Sequence, residues 1–268
     1  MTNELNPRSV LLITLDSCRY DSFAAAKAPK MKSIGPLHQA MAPANFTYGS
    51  HASIFVGFTP GVPGVATPFV NPKFARIFKL AGSGFPGHSA PFISLEGRNI
   101  IDGFRRKGFA AIGSGAVGWF NPGTETGAVL TEGFEAFFYP GNVFSLDAQI
   151  AWIWDRIREH GQRPIFLFLN VGETHVPYFF KGADWNPGYN PCVPFGLNND
   201  RVECQRRQIA CIEYVDTQIA ALLELFAEGT IVICADHGDC WGEDGVWEHG
   251  VSHHKVFEVP LLFRLGAI

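Results

Sequence analysis

The strongest constraint on the fold is an apolar run that ends abruptly in polar chemistry. Residues 232–235 read Val-Ile-Cys-Ala, and Asp236, His237 and Gly238 follow at once. Such a run predicts a buried strand, and open α/β sheets bind ligands beyond the carboxyl ends of their strands. A carboxylate beside an imidazole suits a divalent cation such as zinc or manganese. The same residues can also form a capped turn with a solvated histidine.

Two further apolar runs end in a similar way. Residues 9–15 lead into Asp16, and residues 164–171 are followed by Glu173 and His175. Alternation of such runs with amphipathic segments predicts an α/β fold. Asp16 can also cap a helix, and His175 can be a metal ligand, a proton donor or a loop histidine. Polar residues of ligand type after three separate strands favour an active site.

The remaining segments give a coarser pattern. Helices are predicted at 145–159 and 206–226, where apolar residues recur at helical spacing. A strand is expected near the end of 103–113. The glycine- and aromatic-rich stretch 115–138 is interpreted as loop. The stretch 179–201, with its proline, glycine and asparagine residues, is interpreted as a long loop that shapes substrate access.

A polar, glycine-containing turn within residues 42–57 leads into a short helical segment near Thr47. Hydroxyls at a helix N-terminus are usually caps. However, the helix dipole and the free amides at that end also favour an anionic ligand. A threonine hydroxyl on a divalent metal would have a lowered pKa and could attack phosphorus.

Composition excludes several classes of function. The 268 residues are 47% hydrophobic with a formal net charge of −4, so one domain over residues 1–268 is expected, without a basic surface for nucleic acid. No apolar run approaches the roughly 18 residues of a membrane span. The polar N-terminus lacks an apolar signal region, which predicts a cytoplasmic location. The six cysteines form no Cys-x-x-Cys pair and are expected to be reduced thiols.

Taken together, these segments resemble the alkaline phosphatase superfamily, on its sulfatase-like and nucleotide pyrophosphatase/phosphodiesterase side. Residues 10–16 resemble the first metal-binding strand, 47–57 the nucleophile segment, 173–178 the sulfatase-like His-x-Pro stretch and 236–238 the second metal motif. The four segments follow the family order. The resemblance implies a three-layer α/β/α sandwich with a central, mostly parallel sheet and no large C-terminal subdomain.

The resemblance also implies a metal site. Asp16, Asp236 and His237 would hold one divalent cation, with zinc expected first and manganese or another divalent cation as alternatives. Thr47 would be the fourth, reactive ligand and the nucleophile.

Further residues would complete the catalytic machinery. His175 and His249 would either hold a second metal or donate protons and charge to the transferring group. Ser50 and His51 would contact the substrate phosphate. Glu173 either joins the second site or is a loop carboxylate. Two neighbours of His249, at positions 253 and 254, are expected at the surface or behind the site.

Two departures from the sulfatase pattern restrict the enzyme class that the sequence predicts. Ser17 stands where sulfatases usually carry a second acid, and Thr47 replaces the Cys or Ser that becomes formylglycine. The threonine argues against a standard sulfatase. No Asp-x-x-x-His motif for a full second metal site is evident, so the sequence leaves the number of bound metal ions at one or two.

The sequence therefore predicts a metal-dependent hydrolase of small phosphoric esters, either monoesters or diesters. An atypical sulfate or phosphonate esterase and a phosphoryl transferase would use the same site. From a different class, a non-catalytic binding module remains open. The chain is short for this superfamily, which predicts a comparatively open site or one closed by a partner subunit in a homo-oligomer.

Overall fold

The three apolar runs that end in polar residues become neighbouring strands. The computed structural model describes residues 5–57, 78–81, 92–95, 99–160 and 163–266. Within them, the strands are β1 Val10–Leu15, β2 His38–Met41, β3 Phe78–Ala81, β4 Phe92–Leu95, β5 Ala110–Gly115, β6 Ala136–Phe138, β7 Ile165–Val171, β8 Thr230–Ala235, β9 Cys240–Trp241, β10 Trp247–Glu248 and β11 Glu258–Arg264. The helices are α1 Tyr20–Ala25, α2 Pro29–Lys32, α3 Thr47–Val56, α4 Ile100–Arg106, α5 Glu125–Thr131, α6 Leu146–Glu159, α7 Arg201–Gln218, α8 Ala220–Leu225 and α9 His254–Phe257.

A seven-stranded sheet has the order β2-β11-β8-β1-β7-β5-β6. Strand β1 lies parallel between β7 and β8, and β5 lies parallel between β7 and β6. Only β11 runs antiparallel to its neighbours β8 and β2. The predicted α/β fold with a central, mostly parallel sheet is confirmed.

Side chains of β1 alternate between two cores, as the period of two in a strand requires. Leu11, Ile13 and Leu15 pack on one face with residues of α6 and α7. Leu12 packs on the other face with residues of α3 and α5. Burying one such side chain stabilises the fold by roughly 1.5–3 kcal/mol. Because helices cover both faces, the structure has the three predicted layers.

Some predicted boundaries were wrong. The helix predicted at 206–226 begins five residues earlier, because the carboxylate of Asp200 caps it by accepting from the N–H groups of Val202 and Glu203 at 2.9 and 3.1 Å. It is divided into α7 and α8 at Ile219. The presumed loop 115–138 contains α5 and β6.

The expectation of a long loop agrees with the described residues. The stretch between Phe179 and Asp200 has no helix or strand, as predicted. All six cysteines are unpaired, and five of them are buried. No helix in the described ranges is long and apolar enough to cross a membrane.

Candidate active site

Strand register places two carboxylates side by side. Leu15, the last residue of β1, pairs with Ala235, the last residue of β8. Asp16 and Asp236 follow them directly, so both side chains emerge at the same edge of the sheet. Neither side chain has any exposed surface. Asp16 does not cap α1, whose N-cap is Arg19 without a side-chain cap bond.

Neutral hydrogen-bond donors contact only some of the oxygen atoms of these two carboxylates. Asp236 Oδ1 accepts from the backbone N–H groups of Ser17 and His237 at 3.2 and 3.0 Å. Asp16 Oδ2 accepts from the side-chain amide of Asn170 at 3.2 Å. Asp236 Oδ2 is buried and has no hydrogen-bond partner among the described residues. A buried acceptor without a donor requires a compensating charge or ligand.

His237 presents its second nitrogen to the same point. Nδ1 lies 3.0 Å from the carbonyl oxygen of Gly238 and can only donate to it. Nε2 therefore carries the lone pair in the neutral ring. It lies 3.6 Å from Asp236 Oδ2 and 3.9 Å from Asp16 Oδ1. A carbonyl that fixes the tautomer of a ligating histidine is typical of metal centres.

Thr47 completes this group. It is the first residue of α3, but its hydroxyl does not cap the helix. Instead, Oγ1 donates to Asp16 Oδ2 at 3.4 Å and lies 3.3 Å from His237 Nε2. The side chain is almost fully buried. The structure thus brings together the four predicted first-site residues, and the acid–acid–imidazole set fits a divalent cation.

Burial shapes the electrostatics of the group. Desolvation, with repulsion from Asp236 second, raises the pKa of Asp16. Desolvation also raises the pKa of Asp236 to about 6 and lowers that of His237 to about 4. Each shift opposes the charged form of its side chain. A bound dication would reverse the penalty on the carboxylates, because it supplies the missing opposite charge.

The two other predicted histidines lie beside this group. The ring of His249 is 4.5 Å from that of His237 and 5.3 Å from that of His175. His175 is half-buried and His249 is 18% exposed. The protein thus encloses Asp16 and Asp236, while the two histidines reach solvent. Burial opposes protonation of His249, but the Asp239 hydrogen bond and charge raise its pKa to about 9.

Asp239 is the site residue that the sequence reasoning missed. Its Oδ1 lies 2.8 Å from His249 Nδ1, and the side chain is fully buried. It forms a second possible ligand group with His237 and His249. The sequence feature that could have revealed it is a third polar residue, one position after Gly238, on the turn that follows β8.

Comparison with known proteins identifies the family of the chain. The sulfatase family model matches residues 8–265. The chain belongs to the sulfatase family. A search of curated proteins found no match. The predicted sulfatase-like, alkaline phosphatase superfamily assignment is confirmed. Members of this superfamily are metal-dependent hydrolases and transferases that act on phosphate or sulfate esters.

Solved structures resemble this sulfatase-family chain over nearly its whole length. The soluble domain of lipooligosaccharide phosphoethanolamine transferase A from Neisseria meningitidis is 13% identical, with a TM-score of 0.64, covering 99% of this chain and 78% of that one. The periplasmic domain of EptC from Escherichia coli, in complex with Zn, is 12% identical, with a TM-score of 0.63 and coverages of 97% and 73%. Phosphonate monoester hydrolase of Agrobacterium radiobacter is 16% identical, with a TM-score of 0.60 and coverages of 96% and 68%.

The predicted substrate contacts of Ser50 and His51 do not fit their placement in this sulfatase-family chain. Ser50 Oγ donates to the carbonyl oxygen of Asp236 at 2.7 Å and is fully buried. His51 is equally buried, with Nδ1 2.8 Å from the carbonyl oxygen of Thr47 and Nε2 2.9 Å from Thr14 Oγ1. Both ring nitrogens are occupied within the protein. The two residues instead fix α3 against the strand ends.

Glu173 also lies away from the candidate second site. Its Oε1 accepts from the backbone N–H of Leu146, the first residue of α6, at 2.8 Å. A carboxylate at a helix N-terminus is favoured by the helix dipole. Burial nevertheless raises the pKa of Glu173 to about 7. The loop-carboxylate alternative fits this placement, and the second-site role does not.

Replacing Glu173 with glutamine should remove a pH-dependent loss of stability. In wild type the folded-state pKa of Glu173 lies above its ordinary value of 4.5. Ionisation thus weakens the fold as pH rises from about 4.5 to 7, by on the order of 3 kcal/mol. We expect E173Q and wild type to have similar stability at pH 4.5, and E173Q to be more stable at pH 8. Urea unfolding at both pH values measures this, and equal differences at the two pH values would contradict it.

The remaining polar predictions concern residues around the site. Arg19, which follows the first strand end, pairs with Asp21 at 2.6 Å. His253 accepts from the N–H of Lys255 as the N-cap of α9, and His254 is exposed. Neither histidine belongs to the ligand groups of the described residues.

Proposed function

We propose that this sulfatase-family chain is a metal-dependent hydrolase of small phosphoric esters, with Thr47 as its nucleophile. The observation that carries the proposal is the position of the Thr47 hydroxyl. It lies within 3.4 Å of both Asp16 and His237, in a group that also contains Asp236 Oδ2, for which the described residues offer no hydrogen-bond donor. A hydroxyl without a capping role, placed among metal-ligand side chains, is suited to attack an electrophilic centre.

Asp16, Asp236 and His237 would hold the cation, with zinc proposed first. When bound, a divalent cation lowers the pKa of a neighbouring hydroxyl and balances charge on the phosphoryl oxygens. Thr47 Oγ1 attacks phosphorus and gives its hydroxyl proton to Asp16, while the bond to the ester oxygen breaks and the departing oxygen takes a proton from His249. Water then hydrolyses the phosphothreonine, which releases phosphate and restores the hydroxyl. Asp16 orients the hydroxyl by accepting its proton in a hydrogen bond. His175 and His249 contact the departing oxygen on the more exposed side.

A transferase is the second candidate. Three of the solved structures that this chain resembles are named as phosphoethanolamine transferases or domains of them. Such an enzyme would share the attack by Thr47 and differ in the acceptor, which would be an alcohol instead of water. The comparable structural likeness to phosphonate monoester hydrolase supports a hydrolytic second step instead.

The test combines metal analysis with two esters. Purified protein should contain zinc or manganese and should hydrolyse p-nitrophenyl phosphate or bis-p-nitrophenyl phosphate. Removal of the metal by a chelator should abolish turnover, and metal addition should restore it, because the buried acids need the cation. Product analysis with an added alcohol separates the two candidates: inorganic phosphate supports the hydrolase, and a new ester supports the transferase.

Protein that binds neither zinc nor manganese, and that hydrolyses neither ester after both metals are supplied, would contradict the proposal. That result would favour the non-catalytic binding module. Bound metal without turnover of either ester would instead favour a transferase with a narrow donor specificity.

A further inference from the structure

Asp239 has more hydrogen-bonded contacts than a simple turn residue needs. One carboxylate oxygen lies 2.8 Å from His249 Nδ1, and the other accepts from the hydroxyl of Tyr178 at 2.7 Å. The side chain has no exposed surface. Burying a carboxylate is costly unless its contacts offset the desolvation, so the arrangement calls for a reason beyond turn formation.

The residues that contact Asp239 are themselves fixed by further hydrogen bonds and packing. Tyr178 OH accepts from the indole N–H of Trp241 at 2.8 Å, which leaves its own proton for the Asp239 carboxylate. The Arg19 guanidinium donates to the Asp239 carbonyl oxygen at 3.2 Å and stacks 4.1 Å above the Trp241 ring. Arg19, Tyr178 and Trp241 are each at most 2% exposed. The carboxylate is therefore fixed in one orientation.

This fixed carboxylate determines the orientation of His249. Its hydrogen bond engages Nδ1, so Nε2 is the ring nitrogen left for a ligand. In the described residues Nε2 has no hydrogen-bond partner, and the ring lies 5.3 Å from that of His175 and 4.5 Å from that of His237. A buried carboxylate that orients an imidazole through Nδ1 is a general means of positioning a catalytic histidine.

We propose that Asp239 is the positioning residue for His249: it holds the ring so that Nε2 donates to the ester oxygen that leaves phosphorus. This inference rests on the proposed function and adds a residue and a role to it. Tyr178 and Trp241 act through Asp239 by fixing its carboxylate. The competing role is ligation of a cation by His237, Asp239 and His249, whose ligand atoms lie within 4.8 Å of one another.

The test uses Asp239→Asn in the full-length, metal-loaded protein, with matched phenyl and p-nitrophenyl esters. Phenoxide is the poorer leaving group and depends more on donation to its oxygen. We expect kcat for the phenyl ester to fall by roughly a hundredfold, with a much smaller fall for the p-nitrophenyl ester and a similar KM for both. Metal content should equal that of wild type, because the positioning role leaves the three first-site ligands intact.

Asp244→Asn is the matched control. Asp244 also pairs with a histidine, His253, at 3.2 Å, but its carboxylate is 85% exposed and outside the site. This variant should match wild type on both esters. Tyr178→Phe should reproduce the leaving-group dependence of Asp239→Asn more weakly.

Three outcomes would overturn the inference in distinguishable ways. Equal loss on both esters with full metal content would reduce Asp239 to a structural role. Loss of metal from Asp239→Asn would make it a ligand instead. A wild type that binds metal but turns over neither ester would overturn the proposed hydrolase, and the positioning role with it.

Discussion

Replacing Thr47 with alanine should lower kcat by roughly a thousandfold or more, because the substitution removes the attacking oxygen. The Thr47 hydroxyl is not used to cap α3, and it faces Asp16 and His237. The fold should tolerate the change, since the side chain makes only long hydrogen bonds. Steady-state kinetics measures the loss. Mass spectrometry of acid-quenched protein should find a phosphoryl group on the peptide that contains Thr47 in wild type and not in the variant.

Thr47→Ser is the matched control for this experiment. Serine keeps the hydroxyl and loses only a methyl group, so it should retain a large part of the turnover and form the same covalent adduct. Metal content of Thr47→Ala should fall little, because Asp16, Asp236 and His237 remain. Wild-type turnover in Thr47→Ala would mean that water attacks directly, and the hydrolase would then have no threonine nucleophile.

The sequence was sufficient for the fold and for the acidic part of the site because strand ends in a parallel sheet are predictable. An apolar run that stops at Asp16 and another that stops at Asp236 must place both acids at one edge once the strands pair in register. The edge strand β2 gave no such signal. Three of its four residues are exposed, and its position depends on antiparallel pairing with β11.

Side-chain roles were harder to predict where a contact depends on distant segments. The motif comparison placed Ser50 and His51 on the same segment as Thr47, and all three lie on α3. It could not reveal that both are turned inward, because their partners are distant in sequence: Asp236 directly follows β8, and Thr14 lies in β1. Asp239 was missed for the same reason. Its importance depends on Tyr178, which lies 61 residues away in sequence.

Without metal, the buried acids of the first site should destabilise the fold, whereas bound zinc should stabilise it. Burial raises the pKa of Asp16 and raises that of Asp236 to about 6. The folded metal-free protein thus binds protons more tightly than the unfolded chain. Its stability should decrease as pH rises from about 4 through 6, because both acids must then ionise in a buried place.

Asp236→Asn should therefore stabilise the metal-free protein at pH 8 while abolishing its response to zinc. The asparagine carbonyl oxygen can still accept from Ser17 and His237, and its amide can donate where Oδ2 now has no partner among the described residues. In wild type, zinc at 100 times its dissociation constant should add about 2.7 kcal/mol to the free energy of unfolding. Thermal and urea unfolding, with and without zinc, measure both the stability of the metal-free variant and its response to zinc.

Asp216→Asn provides the matched control, since Asp216 is also buried and accepts two backbone N–H groups, those of Lys30 and Met31, at 3.2 and 2.7 Å. It lies outside the ligand groups, so this variant should keep the full zinc response. A metal-free Asp236→Asn that is less stable than wild type at pH 8 would show that the Asp236 carboxylate is already compensated without a cation. Asp236 Oδ2 would then not require a metal ion, and only the zinc response of wild type would still support the metal site.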